Sequence, residues 1–485
     1  MSRNDLGKKA LGGASLTVAG RLFRALQGIA ALAILSRYLT PAEFGIMSLV
    51  AFVGGLAQVF TDFGTRIALV QRQDVTPLDE YSVFWWNLGV GAVLTALIMI
   101  FAPQIAGLMG DDRVAVPLMW VAPIFLIGAV QGVSLSVLER RLAFGRITAA
   151  EVSAALSGSV AAVVMVLLGF KLEALIAQQI VSVLVSATIL VGAARWWPKF
   201  RFSFDALKPL LSYGSYVTAA GIVQILSAQA DRPIVGNRLS ATDLGYTRMA
   251  EQIVFSPLRI TVQMVRKVMF PIMATIQQDD VRMRRGYIAM QHGLMVIMAP
   301  IAFGLWAVAE PVVGLLLGAS WEMVAVLMGY LTIRSLFSTF NDLNNVIFSA
   351  KGWARFQFKW SIFSAVMTIG TLLLTVDYGI EAVVAGRLAL AVLLTPLNSF
   401  FALRLISQSA LEVVNVLIRP ILAAFGMGMA VLWLQGWLAP QMGYGLQLLI
   451  CIPVGGVLYL AGELLLDRAR FVALVRLILA RRKKG

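Results

Sequence analysis

The segment SRYLTPAEFG at residues 36–45 returns, with changes, as GNRLSATDLG at residues 236–245. The two segments match at three positions: Leu39 with Leu239, Glu43 with Asp243, and Gly45 with Gly245. Two further pairs of segments are similar at nearly the same spacing: APQIAGLMG (102–110) with EPVVGLLLG (310–318), and RRLAF (140–144) with KGWARF (351–356). An offset that drifts slowly in one direction, from about 200 to about 211 residues, indicates a duplicated unit with small insertions.

The composition excludes a soluble globular protein. Of 485 residues, 59% are hydrophobic and only 13% are charged, and the mean hydropathy is +0.83. Hydrophobic runs long enough to cross a bilayer as helices recur along the whole chain. We therefore predict an all-α polytopic membrane protein with about fourteen transmembrane helices, at residues 11–36, 44–66, 82–102, 115–138, 147–169, 172–194, 209–236, 245–274, 287–308, 322–348, 357–376, 381–404, 412–434 and 443–466.

The repeat places six predicted spans in each copy. Because six is an even number, both copies have the same orientation, which predicts two parallel-repeat six-helix lobes around a central cavity, related by an axis along the membrane normal. The predicted domains are an N-lobe at 1–200, a C-lobe at 201–405, two accessory helices within 406–466, and a basic cytoplasmic tail at 467–485.

The net charge of +15 is distributed unevenly over the loops. Most of the 40 Lys and Arg residues fall in the loops of one side and in the tail, as the positive-inside rule requires for a chain with both termini in the cytoplasm. This asymmetry removes the need for a nucleic-acid partner. The tail either lies as an amphipathic helix on the anionic lipid surface or is an exposed basic stop.

Enzymatic and ATP-driven functions find little support in the sequence. The single cysteine, Cys451, and the single histidine, His292, give no basis for a disulfide, a metal site or a catalytic triad. The phosphate-binding pattern G-x-x-x-x-G-K-[ST] does not occur. We expect neither catalytic residues nor a cofactor. Transport is then driven by an ion gradient, by substrate mass action or by the membrane potential, with four candidates for proton or sodium coupling: Asp62, Asp231, Glu251 and Asp342.

Polar and basic residues nevertheless occur inside the predicted spans. The stretch GRLFRALQG (20–28) puts two arginines and a glutamine on one helix face, and Arg24 lies about 20 Å along the helix from Leu11. Since charge is costly at membrane depth, such faces indicate a hydrated cavity, and an excess of arginine favours an anionic, phosphate-bearing ligand. The alternative is that these groups pair with one another, such as Glu251 with Arg248 and Asp342 with Arg334. The predicted substrate-binding residues are Arg21, Arg24, Gln27, Gln224, Arg248, Arg259, Arg266, Arg334, Asn341 and Asn345.

Three segments carry a resemblance to a known family: LSRYLTPAEFG (35–45), ERRLAFGR (139–146) and LLLGASW (315–321). With these in order, the chain resembles the Wzx-type polysaccharide flippases of the multidrug/oligosaccharidyl-lipid/polysaccharide transporter superfamily, and within them the colanic-acid-type exporters. The resemblance implies alternating access in the bacterial inner membrane. The implied substrate is a polyprenyl diphosphate carrying an oligosaccharide, moved from the cytoplasmic to the periplasmic leaflet for exopolysaccharide, O-antigen or capsule synthesis. It also implies partners in the polymerase and synthesis machinery, and sugar contacts from amide side chains: Gln27, Gln224, Asn341 and Asn345.

Other functions are alternatives. A flippase for the peptidoglycan lipid precursor is the closer one, because it shares the expected fold and the cationic cavity. A multidrug cation exporter of the same superfamily would be expected to present acids and aromatic residues in its interior, where this chain has arginines. A membrane glycosyltransferase, polymerase or ligase would need a substantial catalytic loop or domain, and the predicted loops are short.

Overall fold

The chain is built from helices. The computed structural model describes residues 3–72 and 74–468, with only the backbone described at 3–18, 259–261, 263–272 and 274. No strand occurs in these residues. The α-helices are α1 (Arg3–Leu35), α2 (Pro41–Asp62), α3 (Thr65–Gln71), α4 (Pro77–Leu108), α5 (Ala115–Val121), α6 (Ile124–Arg140), α7 (Phe144–Leu167), α8 (Leu172–Ala194), α9 (Phe204–Gln229), α10 (Asp231–Arg238), α11 (Ala241–Thr275), α12 (Asp280–Ala307), α13 (Ala309–Leu316), α14 (Glu322–Ala350), α15 (Ala354–Thr375), α16 (Ile380–Leu405), α17 (Ala410–Leu438) and α18 (Tyr444–Leu466).

Twelve helical segments within the described residues are long and apolar enough to cross a membrane. The prediction of a polytopic all-α membrane protein is therefore confirmed. The helices α1 and α11, which carry the predicted arginine stripes, are 33 and 35 residues long, and parts of both lie outside the residues whose side chains are described. The count of fourteen spans stays a prediction. Three predicted spans are interrupted: one between α2 and α3 at Phe63 and Gly64, one between α5 and α6 at Pro123, and one between α9 and α10 at Ala230.

The chain divides into two compact units, at residues 1–245 and 246–485. In the first unit α1 packs on α7, α7 on α8, and α9 on α2, α3 and α4. Its apolar core joins α3, α4, α6, α8 and α9, each of which contributes one of the buried residues Leu69, Phe84, Leu138, Leu190 and Leu207. In the second unit α12 packs on α14 and α17, α14 on α16, and α17 on α18. The predicted lobe and tail boundaries stay predictions.

The two repeated segments form the same local structure. Thr40 and Glu43 make a capping box at the start of α2, with the Thr40 backbone N–H donating to Glu43 at 2.6 Å. At the start of α11, the Asp243 backbone N–H donates to the Ser240 hydroxyl at 3.1 Å, and that hydroxyl donates to the Asp243 carboxylate. Each pair satisfies backbone donors that a helix N-terminus leaves without partners. The sequence repeat is therefore a repeated helix start.

The repeated glycines let these two helix starts touch. A Cβ at Gly45 would overlap the carbonyl oxygen of Ala241, and a Cβ at Gly245 would overlap the carbonyl oxygen of Pro41. The contact is reciprocal, because Pro41 and Ala241 occupy equivalent positions of the repeat. Only residues without a side chain permit this backbone approach in membrane helices.

Candidate functional site

Arg24, near the middle of the charged face of α1, forms an ion pair with Glu151 of α7. Its Nη2 lies 3.0 Å from Glu151 Oε2. The pair is only partly covered, since the Arg24 side chain keeps 34% and the Glu151 side chain 41% of its surface exposed. A partly exposed carboxylate is exchangeable for another anion, because the planar guanidinium binds carboxylate and phosphate with the same geometry.

One turn further along, Gln27 also contacts α7. Its Nε2 donates to the Ser159 hydroxyl, which also accepts a hydrogen bond from Gln178 Nε2 of α8 at 3.4 Å. At the other end of the face, a Cβ at Gly20 would overlap the Thr148 side chain. The predicted polar face of α1 is therefore a helix contact along part of its length. The predicted role of Gln27 in binding sugar stays a prediction, with its amide donor engaged here.

Sequence reasoning missed Glu151 as the partner of Arg24. A signal was present, since Thr148, Glu151, Ala155 and Ser159 recur at intervals of three and four residues on the span that became α7. Such spacing puts all four on one helix face. It cannot say which neighbouring helix that face meets.

In the second unit, the predicted residues join helices to one another. Glu251 of α11 lies 4.0 Å from Arg387 of α16, and its pairing with Arg248 stays a prediction. The Arg334 guanidinium lies 5.4 Å from the centre of the Phe255 ring. The remaining two are asparagines. Asn341 Nδ2 donates to the Thr395 hydroxyl at 3.1 Å, and Gln357 Nε2 donates to the Asn345 backbone carbonyl at 3.1 Å and to Asn345 Oδ1 at 3.4 Å.

The other predicted residues differ in exposure. Asp62 accepts a hydrogen bond from Gln58 Nε2 at 3.1 Å. Gln224 and Arg248 are exposed, whereas Arg21, Asp231 and Asp342 are half-buried. The side chains of Arg259 and Arg266 lie outside the described residues. The ligand-binding and ion-coupling roles of all these residues, and the predicted central cavity, stay predictions.

The ERRLAFGR turn has a structural role. Arg66 Nη1 donates to both carboxylate oxygens of Glu139 at 2.9 Å. Arg140 Nη1 donates to the carbonyl oxygen of Leu69 at 2.8 Å, at the end of α3. Arg141 Nη1 donates to the carbonyl oxygen of Ala194 at 2.8 Å, at the end of α8. The turn thus satisfies carbonyl groups that these helix ends leave open.

A buried polar cluster in the second unit was not predicted. Asp467, just after α18, accepts from Arg419 Nη1 at 3.2 Å and lies 3.5 Å from His292 Nε2. One turn earlier, Glu463 is fully buried and accepts from the Tyr459 hydroxyl at 2.8 Å. The cluster joins α12, α17 and α18. The lone histidine, which had suggested no function, is part of this helix contact.

Helices of this length and hydropathy, with charged contacts between them, define a multi-pass membrane protein. The chain belongs to the family described as "Polysaccharide biosynthesis protein", which matches residues 34–326, more than half of its length. This result agrees with the family that the three sequence segments indicated.

Curated relatives extend over most of the chain. The succinoglycan biosynthesis transport protein ExoT of Rhizobium meliloti (strain 1021) is 27% identical over 93% of this chain and 92% of its own. The teichuronic acid biosynthesis protein TuaB of Bacillus subtilis (strain 168) is 27% identical over 81% of this chain and 85% of its own. The lipopolysaccharide biosynthesis protein WzxC of Escherichia coli (strain K12) is 22% identical over 82% of each chain.

Solved structures share the fold. The lipid II flippase MurJ in an inward closed conformation superposes with a TM-score of 0.75 at 14% identity, covering 93% of this chain and 99% of that one. An inward-facing multidrug resistance MATE family transporter gives a TM-score of 0.59 at 16% identity, covering 82% of this chain and 100% of that one. At such low identity, the likeness shows a shared architecture only.

Proposed function

We propose that this protein is a flippase for polyprenyl-diphosphate-linked oligosaccharides. It moves them from the cytoplasmic to the periplasmic leaflet of the bacterial inner membrane, by alternating access and without making or breaking a covalent bond. The observation that carries the proposal is the partly exposed Arg24–Glu151 pair, in a chain of the polysaccharide biosynthesis family. The names of relatives in succinoglycan, teichuronic acid and lipopolysaccharide synthesis support this substrate class.

The charge of Arg24 fits the diphosphate. Arg24 lies 11 positions before the end of α1 at Leu35, or about 17 Å along the helix axis. A charge at such a depth is retained only with a partner or in a hydrated space. Exchange of Glu151 for a phosphate oxygen keeps the guanidinium paired throughout. The polyprenyl chain can then remain in lipid while the headgroup crosses.

The basic segments support the proposed direction of transport. Arg140 and Arg141 lie at one end of the first unit, with Lys199 and Arg201 in the segment that follows α8. Lys351 and Arg284 lie at the ends of α14 and α12 that share one side of the second unit, where Lys351 Nζ is 2.7 Å from Asp280. The positive-inside rule, applied to each unit by itself, supports a cytoplasmic location for each of these ends, and we propose the same for both termini. The polymerase partner and the coupling ion remain predictions.

Native mass spectrometry tests the substrate class. The protein is extracted gently from a strain that makes its own polysaccharide, and its bound lipids are weighed. We expect a mass equal to polyprenyl diphosphate plus one oligosaccharide repeat unit, which is lost in Arg24→Ala. The control is Arg66→Ala, which removes an arginine of similar exposure, 31%, from a pair at the end of the bundle.

Two results would contradict the proposal. One is a bound peptidoglycan precursor in place of the oligosaccharide lipid, which would assign the chain to the other flippase class. The other is binding of an amphipathic cation with no lipid-linked sugar, which would favour a drug exporter.

A further inference from the structure

The second unit contains a cavity that none of the predicted substrate-binding residues lines. It lies where the end of α12, α13, the start of α14, the end of α17 and the start of α18 meet, and its volume is about 460 Å³. This is the end opposite to Lys351 and Asp280, because α12 extends for 28 residues, or about 40 Å, between them. Its size falls within the range of small-molecule sites.

The lining combines acids, an amide and aromatic rings. Glu310 and Glu322 present carboxylates, and both are exposed to the cavity side of the bundle. Gln435, only 6% exposed, donates from Nε2 to Glu310 Oε2 at 3.4 Å and so holds that carboxylate in place. Trp306 and Tyr444 supply the aromatic surface. Within the described residues that line the cavity, none is basic.

The LLLGASW segment builds one wall. Gly318, at φ +97°, turns the chain between α13 and α14 in a conformation that favours glycine. The next large residue, Trp321, is fully buried and anchors the wall, with its ring centre 6.2 Å from that of Tyr246. At Gly314, a Cβ would overlap the Tyr444 ring, so the missing side chain makes room for that ring. This segment therefore shapes the cavity and positions its aromatic side.

We infer that this cavity binds a neutral sugar residue, and, resting on the proposed function, that the sugar belongs to the oligosaccharide of the transported lipid. Sugar hydroxyls donate to the carboxylates of Glu310 and Glu322 in charge-assisted hydrogen bonds. The apolar face of the sugar ring packs on Trp306 or Tyr444, whose flat surfaces lose little conformational freedom on binding.

The charge of the lining separates this site from the arginine site. Two carboxylates without a basic residue repel a phosphate, so the diphosphate of the substrate is not the occupant here. An organic cation would satisfy the same acids. A buried amide that orients Glu310 favours the sugar, because directed hydrogen bonds discriminate among hydroxyl positions, whereas a cation needs charge alone.

Saturation-transfer NMR on the detergent-purified full-length protein tests the inference, with methyl glycosides of neutral hexoses and N-acetylhexosamines as probes. We expect transfer to ring protons of at least one probe. Glu310→Gln should weaken binding about tenfold, as expected for a hydrogen bond to a charged group. Ala319→Trp, which fills the cavity without changing charge, should abolish binding. The control is Glu173→Gln, which removes a carboxylate from the first turn of α8, in the other unit.

Several outcomes overturn the inference: no saturation transfer from the wild-type protein to any sugar, undiminished transfer in Ala319→Trp, or Glu310-dependent binding of tetraphenylphosphonium without sugar binding. Ala319→Trp keeps the test decisive if Glu310→Gln fails to fold. The wild-type protein could flip the lipid-linked oligosaccharide and yet bind no free sugar. That result would contradict the sugar site and support the proposed function. Sugar binding by a protein that does not flip the lipid would support the sugar site and contradict the proposed flippase function.

Discussion

Arg24 already has a carboxylate partner, so a diphosphate must displace Glu151 to bind it. The two members of the pair then have opposite effects on substrate binding. Removal of the guanidinium removes the anion site, whereas removal of the Glu151 charge removes a competitor of the substrate. A purely structural ion pair would make the two changes equivalent, because each leaves one partly buried charge alone.

We therefore predict that Arg24→Ala lowers transport at least about tenfold, and that Glu151→Gln raises the affinity for the lipid-linked substrate. Arg24→Lys should restore transport only in part, since a point charge replaces a bidentate fork. Initial rates of flipping at several substrate concentrations measure both effects. The matched control is the Arg66–Glu139 pair, where Arg66→Ala and Glu139→Gln should change protein stability in the same direction. Equal losses from Arg24→Ala and Glu151→Gln would contradict the exchange.

Asp111 lies in the loop between α4 and α5 and gives a prediction about how protein stability depends on pH. Its carboxylate accepts two hydrogen bonds from the Arg113 side chain, at 2.9 and 2.7 Å, and these hold the pKa of Asp111 below its usual value. A lowered pKa means that the stabilisation is complete above the pKa of an unfolded aspartate, about 3.9, and is lost as the pH falls through the folded value.

Asp111→Asn should accordingly lower the unfolding temperature at pH 7, by an amount that shrinks below about pH 4. Thermal unfolding in detergent across this range measures it, with the exposed neighbour Asp112→Asn as the control. If the difference in unfolding temperature between the wild-type protein and Asp111→Asn stays constant down to pH 3, the charge of the Asp111 carboxylate does not contribute to stability.

At the residue scale, the sequence predicted which residues share a face but not what that face meets. Helical spacing put Arg24 and Gln27 together, and both lie on the side of α1 that contacts α7. Their partners, Glu151 and Ser159, are more than 120 residues away, and no local rule connects them. The buried pair of Asp467 with His292 was missed for the same reason, because it depends on how α12 and α18 pack.

At the scale of helices, the reciprocal glycine contact between α2 and α11 explains why the repeat is visible in the sequence. Each glycine faces a carbonyl group of the other copy, so a larger residue would push the backbones apart. The capping pairs Thr40–Glu43 and Ser240–Asp243 start both helices at the same register. The helix starts could be predicted from these patterns, whereas the contact between them could not.

Gly45→Ala should destabilise the protein by at least about 2 kcal/mol, because the added methyl group overlaps a backbone oxygen that cannot rotate away. Gly89→Ala in α4 is the control: a Cβ at Gly89 meets nothing within 4 Å, and alanine favours the helix. Chemical unfolding of both variants in detergent measures the difference. Equal stability of Gly45→Ala and the wild-type protein would mean that the two helix starts separate freely.

At the scale of the whole molecule, hydropathy and charge predicted the class, because long apolar runs must be helices in a bilayer and basic loops orient them. The prediction extended to twelve of the spans. The predicted spans at α1 and α11 carry arginines in helices 33 and 35 residues long, and they stay predictions. These charges make the two helices candidates for the substrate path.

The proposed orientation predicts which loops a membrane-impermeant maleimide labels in whole cells. Cys451 is buried, and replacing it with alanine gives a background without cysteine. In that background, Asp112→Cys and Gln441→Cys should be labelled from outside the inner membrane. Asp74→Cys and Ser409→Cys should be labelled only after the membrane is opened. The reverse pattern would invert the orientation and the direction of transport.

Flipping itself is the most direct test of the central proposal. Purified protein is reconstituted into liposomes with a fluorescent polyprenyl-diphosphate oligosaccharide, and a sugar-oxidising or sugar-binding reagent outside reports the fraction of headgroups in the outer leaflet over time. We expect that the inner pool becomes accessible with the wild-type protein, that Arg24→Ala slows this at least about tenfold, and that Arg66→Ala, if folded, does not. An inner pool that stays inaccessible with folded wild-type protein, under an imposed ion gradient and membrane potential as well as without them, would contradict it.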